Sequence, residues 1–192
     1  LKEELSYQKY FLHRHMKIFR GIFDLPNIIP IFPLSGALLL PGGVLPLNIF
    51  EPRYLAMVDS VIGEHRIVGM IQPIEGFYTE EKSKLYPVGC AGKISSFAEL
   101  DNNRYIIELT GLVRFRIKKE MEKSSKGFRL ISADWSKFSN DLESEDMPSL
   151  NVEELVEELK IYFTKNKIEA DFSGLSKVSY NEIISTIVQV CP

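Results

Sequence analysis

The sequence predicts an α+β fold in which a β-rich lobe with one inserted helix is followed by a helical lobe. Three observations carry this reading. Between Ile28 and about Trp135, short apolar or alternating runs are separated by Pro, Gly, Asn and Asp; one stretch after Pro52 has helical spacing; and beyond Phe138 the pattern turns acidic and then helical. Regular short strands with many turns indicate a barrel or sandwich rather than a βαβ sheet.

Residues 1–27 are read as an N-terminal extension, partly tail. Leu1 to His15 mix aromatic and charged side chains without a continuous apolar region or a small-residue cleavage site, so no export signal is read and Met16 is a candidate initiator. His13 and His15 are read as part of that tail, not as a metal site. In the β lobe, residues 28–138, the expected strands are Ile28 to Phe32, Ala37 to Leu40, Leu45 to Ile49, Ile67 to Ile71, Val88 to Phe97, Arg104 to Thr110, Leu112 to Lys118 and Phe128 to Trp135. The turn Leu100-Asp101-Asn102-Asn103 is expected to close a hairpin.

The inserted helix starts at Pro52, whose missing N–H costs nothing in a first turn, with the negative charge of Glu51 at the positive end of the macrodipole. Tyr54, Leu55, Val58, Val61 and Ile62 share one face, Arg53, Asp59, Ser60 and Glu64 take the other, and Gly63 is the expected stop. This helix is expected across one face or the open end of the barrel. Asp141, Glu143, Glu145, Asp146 and Pro148 mark residues 139–150 as a solvated acidic linker. The helical lobe, 151–192, begins at Asn151 as an N-cap with Val152, Leu155, Val156, Leu159 and Phe163 as its apolar stripe. A second helix begins at the capping box Ser179-Tyr180-Asn181-Glu182, and Ile183, Ile184, Ile187, Val188 and Cys191 form its apolar face; the two helices are expected to pair. A helix with that face has further chain to pack against, so the lobe is expected to be truncated after Pro192.

Composition narrows the function classes. The 192 residues carry a net charge of −3 and are 45% hydrophobic, too apolar for a disordered chain and without the overall basicity of a nucleic-acid binder. No apolar run of ~18 residues is long enough for a membrane span. Two widely spaced cysteines, Cys90 and Cys191, form no metal-binding spacing, and a cytoplasmic location is the natural reading. The charge is unevenly divided: residues 1–137 carry 19 bases and 15 acids, while residues 138–159 carry eight acids and no bases.

The patterns of chemistry are few. Gly89-Cys90-Ala91-Gly92-Lys93-Ile94 has the wrong spacing for a phosphate loop and no hydroxyl, and no Gly-x-Ser-x-Gly elbow occurs. Cys90 with His65 is the only visible nucleophile-base combination, but Cys90 sits in a strand pattern where a buried inert thiol is expected, and His65 follows a helix where a cation near the last carbonyls explains it. The most distinct surface pattern is Arg114, Arg116 and Lys118 alternating with Val113, Phe115 and Ile117, which sends three cations to one strand face. That face is either the wet side of a half-buried strand or a basic surface for RNA or an acidic peptide. With no aromatic interleaved among the cations, the RNA reading is the weaker.

The run Ile29-Pro30-Ile31-Phe32-Pro33-Leu34, then Gly36 to Gly43, then Leu45-Pro46-Leu47-Asn48-Ile49-Phe50-Glu51-Pro52-Arg53-Tyr54, resembles the Lon substrate-binding domain. This is the N-terminal domain of the ATP-dependent Lon protease (protease La), also found as stand-alone bacterial proteins. Ile67 to Pro73, Val88 to Ile94 and Gly111 to Ile117 extend the resemblance over most of Ile28 to Ile117. It implies a PUA-like β-barrel lobe followed by an α-helical bundle, and a non-catalytic role in binding unfolded or regulated protein segments, with a separate ATPase or protease as a further partner. No ATPase or peptidase motif accompanies it, and no cofactor is implied. Candidate protein-binding residues are Phe50, Glu51, Arg53 and Tyr54 of the motif, together with Phe77 and Tyr78 in a Gly-, Glu- and Lys-rich loop. The alternative is an RNA-binding PUA-like protein using Arg114, Arg116 and Lys118.

Overall fold

The computed structural model describes residues 19, 21–74, 83–100, 102–143, 152–166, 183–184 and 187–188. Six strands alternate with one helix in the β-rich part: β1 (Ile28–Pro33), β2 (Val44–Ile49), α1 (Pro52–Ile62), β3 (Ile67–Ile71), β4 (Val88–Leu100), β5 (Arg104–Glu120) and β6 (Arg129–Asp134). Short 3₁₀ segments at Ile22–Asp24 and Ser136–Leu142 flank them, and α2 (Val152–Asn166) follows.

The strands form one six-stranded sheet in the order β2-β5-β4-β3-β1-β6, with β5 pairing β6 as well. β5 has three neighbours because it is long: residues 105–110 pair with β2, residues 116–120 pair with β6, and β4 pairs along residues 104–116. The sheet therefore curls on itself. It is not sealed as the expected barrel, since among the described residues β2 has β5 as its one neighbour and keeps an open edge. Proline placement agrees with this pairing. Pro46 lies in the edge strand, and Pro30 lies where β1 has met β6 but not yet β3, both positions where a missing N–H is tolerated.

Two expected elements differ. Arg104 to Thr110 and Leu112 to Lys118 are one strand, not two. Gly111 is no breaker; it is needed because a Cβ there would lie 2.0 Å from the Leu40 carbonyl oxygen. Backbone bonds tie the two segments, from Gly42 N–H to the Gly111 carbonyl (2.9 Å) and from Gly111 N–H to the Gly43 carbonyl (2.8 Å). Ala37 to Leu40 is correspondingly an irregular strap and not a strand, with Leu39 buried against β4 and β5. The hairpin between Leu100 and Arg104 forms as expected, with Asn103 at φ 55°.

Successive residues of β3 are all buried because both faces of the sheet are covered. Ile67 and Ile71 join Ile29, Ile31, Val113, Ile131 and Trp135 around Phe115. Val68 and Met70 join Phe32, Ile49, Ile94, Ile107 and Leu109 beneath α1. Phe115 is fully buried and meets Trp135 edge-on at 6.0 Å. Room for its ring exists because Gly89 has no side chain: a Cβ there would come within 2.6 Å of the Phe115 Cζ.

α1 buries Tyr54, Met57, Val58 and Val61, with Leu55 and Ile62 half-buried at the margin. Pro52 occupies its first turn and Gly63 ends it. The cation at its last carbonyls is Arg66, whose Nε donates to the Ile62 carbonyl at 3.1 Å. This corrects the role expected of His65, whose Nδ1 instead accepts the Ile67 N–H at 3.0 Å.

The acidic segment after Phe138 is not uniformly a solvated linker. Asp141, in the second 3₁₀ segment, has a side chain only 8% exposed because it clasps Arg114. Farther on, α2 buries Leu159 and Phe163, and residues 183–184 and 187–188 are helical with Ile183 buried. A helical bundle is not shown among the described residues. Leu1 to His15, Met16, Phe77, Tyr78, Glu145, Asp146, Pro148, the N-cap Asn151, the capping box at 179–182 and Cys191 lie outside the described residues.

Candidate functional site

Four of the motif residues converge on one cleft of about 400 Å³. It lies where the ends of β1 and β2 meet the start of α1 and the lead into β6. Phe32 and Tyr54 are both buried in the apolar cluster under α1, with ring centroids 4.2 Å apart, and Phe128 adds a third buried ring to the lining. Phe50 is different. It sits between β2 and α1 and is 61% exposed, so its ring projects at the rim and does not pack in the core.

The charges at this rim are largely paired. Glu51 and Arg53 form an ion pair at 2.7 Å, and the Arg53 guanidinium also stands 4.7 Å from the centre of the Tyr54 ring. Glu51 caps α1 with its backbone carbonyl, which accepts the N–H of Tyr54 and Leu55, while its carboxylate is spent on Arg53 rather than on the helix end. Arg129 on the opposite wall is held by Glu120 (2.7 and 2.9 Å) and donates to the Ser83 carbonyl at 3.1 Å. Lys123 has no ion pair among the described residues and leaves the cleft with a positive excess. Sequence reasoning placed Phe50, Glu51, Arg53 and Tyr54 here but missed Phe32, Phe128, Lys123 and Arg129. Phe32 lay in a strand and in the family motif without being read as a site residue, Phe128 carried a strand signal only, and Lys123 carried none; the β1–β6 pairing brings Phe128 beside Phe32.

The strand face of Arg114, Arg116 and Lys118 is exposed as the alternation requires, with Val113 and Phe115 fully buried. Its positive charge is tempered. Asp141 accepts from Arg114 Nε (2.8 Å), Nη2 (2.6 Å) and the backbone N–H (2.9 Å), and the guanidinium lies 4.8 Å from the Phe138 ring centre. Burial alone would raise the Asp141 carboxyl, but these bonds and the Arg114 charge outweigh it and hold it below the usual carboxylate range. Asp134 stands opposite Arg116 in the β5–β6 ladder. Its carboxyl is held low chiefly by bonds from Ser136, and then by the charges of Lys118 and Lys137.

Cys90 lines a second, more apolar groove of about 400 Å³ between the Ala37–Leu40 strap and the start of β4. Its thiol is 3% exposed and burial pushes it up to about 12, so the reactive thiolate is suppressed at neutral pH. His65 is no partner for it. Cys90 pairs with Met70 in the β3–β4 ladder, three strand residues (~10 Å) beyond Ile67, and the His65 Nδ1 is engaged with the Ile67 N–H.

The described residues contain no helix long and apolar enough to cross a membrane and no cluster of three or more metal-ligating side chains. A family model described as the ATP-dependent protease La (LON) substrate-binding domain matches residues 28–189. Lon protease 2 of Myxococcus xanthus is 24% identical over 140 residues, which cover 71% of this chain and 17% of that protein. Lon protease 2 of Sorangium cellulosum is 36% identical over 92 residues, covering 47% of this chain and 11% of that protein. This chain thus spans less than a fifth of the length of these relatives. Among solved structures, a Lon N-terminal domain protein from Xanthomonas campestris aligns with a TM-score of 0.47 at 25% identity, over 56% of this chain and 59% of that one. The N-terminal domain of a Mycobacterium avium complex Lon protease aligns at 0.44 and 13% identity, over 86% and 91%. With the family model matched from β1 to beyond α2, the chain belongs to the substrate-binding domain family of the ATP-dependent protease La (LON).

Proposed function

We propose that this chain is a non-catalytic protein-binding module that holds unfolded or regulated protein segments in the cleft rimmed by Phe50, and that a separate ATP-dependent protease is a partner to which it presents them. The observation that carries the reading is the Phe50 ring, 61% exposed beside a floor of buried aromatics. Covering an exposed Phe contributes up to about 1–2 kcal/mol, and an aromatic anchor beside a preformed pocket is the usual form of a binding hot spot. The RNA alternative is disfavoured because Arg114 is committed to Asp141 and Asp134 stands opposite Arg116.

Reduced, carboxymethylated α-lactalbumin serves as a soluble unfolded probe. Phe50→Ala is expected to weaken its binding about tenfold while leaving the melting temperature unchanged, since the removed ring is outside the core. Equal binding by both proteins, or no binding by the parent chain, refutes this assignment of the site.

A further inference from the structure

Phe50 is shared by two clefts, and the two carry opposite charge. On one side is the cleft described above, where, among the described residues, Glu51 cancels Arg53, Glu120 cancels Arg129, and Lys123 remains. On the other side a cleft of about 520 Å³ is lined by Phe50, Leu55 and Tyr105 together with Asp59, Glu99 and Arg104, two acids against one base. Tyr105 donates to Asp59 Oδ1 at 3.0 Å. Burial first, and then that bond and the charges of Asp59 and Glu99, push the Tyr105 hydroxyl up to about 12. Phe50 is thus an apolar ridge between a positive and a negative hollow.

Resting on the protein-binding reading above, we propose that the preferred ligand is an extended protein segment that crosses Phe50 with a bulky apolar side chain, an acidic residue on the Lys123 side and a basic residue on the Asp59–Glu99 side. Each hollow is ~7–8 Å across if taken as a cube, room for two or three residues of extended chain. The two charges of the ligand therefore fall within two or three residues of the apolar one. A segment acidic throughout meets Asp59 and Glu99, and a segment basic throughout meets Lys123. Only the mixed segment matches both hollows, and because the ridge is apolar it is accepted in either chain direction.

Four fluorescein-labelled decapeptides, Ser-Gly-Xaa-Gly-Leu-Phe-Gly-Xaa-Gly-Ser with Asp and Lys, two Asp, two Lys or two Ser at the Xaa positions, test this on the full chain by fluorescence anisotropy. The mixed peptide is expected to bind about fivefold tighter than the others at low salt, with the advantage erased in 1 M NaCl. Lys123→Glu, at an exposed position, is expected to move the preference to the two-Lys peptide. Glu99→Lys, also exposed, is expected to move it to the two-Asp peptide. Equal binding of all four peptides, still weakened by Phe50→Ala, overturns the charge preference and leaves the protein-binding reading intact. Binding that ignores Phe50→Ala overturns both.

Discussion

Replacing Gly111 by Ala tests whether the strap before β2 is fixed to the middle of β5. The added Cβ would sit 2.0 Å from the Leu40 oxygen, 2.8 Å from the Leu40 carbonyl carbon and 3.3 Å from Leu39 Cγ. The two nearest obstacles are backbone, so no rotamer change relieves them. Either β5 or the strap must move. Overpacking of this kind costs about 1–3 kcal/mol, and displacement strains the two backbone bonds between Gly111 and Gly42–Gly43, each worth about 1 kcal/mol. The expected loss is ~2–5 kcal/mol, out of the ~5–15 kcal/mol typical of a whole domain. Urea unfolding followed by Trp135 fluorescence measures it. Gly63→Ala is the control, because nothing lies within 4 Å of its added Cβ, and it should change stability by less than about 0.5 kcal/mol. A Gly111→Ala protein as stable as this control would show that the strap does not rest on β5.

Two further outcomes follow from the electrostatics. Because the Asp141 carboxyl is held below its unfolded value, its clasp on Arg114 stabilises the fold above about pH 4, the unfolded carboxylate range, and is lost as pH falls through the lower folded value. Asp141→Asn should therefore flatten that acid limb of the stability profile in urea titrations between pH 2 and pH 6, and an unchanged limb would contradict the clasp. In a Cys191→Ser background, Cys90 should resist iodoacetamide at pH 8 in the native protein and react on unfolding, as its burial and its raised value of about 12 require; ready native labelling would show that the thiol is accessible.

Much of the fold was legible where a local rule acts alone. Pro52 is legible as the start of α1 because its missing N–H costs nothing in a first turn, whatever the rest of the chain does; Gly63 marks the other end in right-handed geometry (φ −84°), where its missing Cβ is not required. β3 reads as a continuous apolar run because both its faces are covered. Gly111 misled for the opposite reason: its need arises from Leu40, 71 positions away in sequence (111 − 40), and no local pattern encodes a carbonyl approaching from outside the strand. The site divides in the same way. Phe50 to Tyr54 were visible as a contiguous motif, whereas Phe128 reaches the cleft through the pairing of β6 with β1, and Lys123 lies in the connection that the β5–β6 pairing holds. Arg114 was correctly read as outward-facing, yet Asp141, which neutralises it, lies 27 residues later in what resembled a solvated acidic run.

The ladder between β1 and β6 also sets a timetable for biosynthesis. These strands lie about a hundred residues apart, so a ribosome adding ~5–20 residues per second leaves β1 without its antiparallel partner for about 5–20 s. Among the described strands, the one partner β1 gains during that interval is β3, through the short parallel contact of Ile31 to Pro33. The β4–β5 hairpin, with its ends adjacent in the chain, is complete about 0.5–2 s before β6 begins, since β5 ends at Glu120 and β6 starts at Arg129. The nascent chain thus passes through a stage in which Ile29, Ile31 and Phe115 are made but Ile131 and Trp135 are not, so that this half of the core closes only with β6.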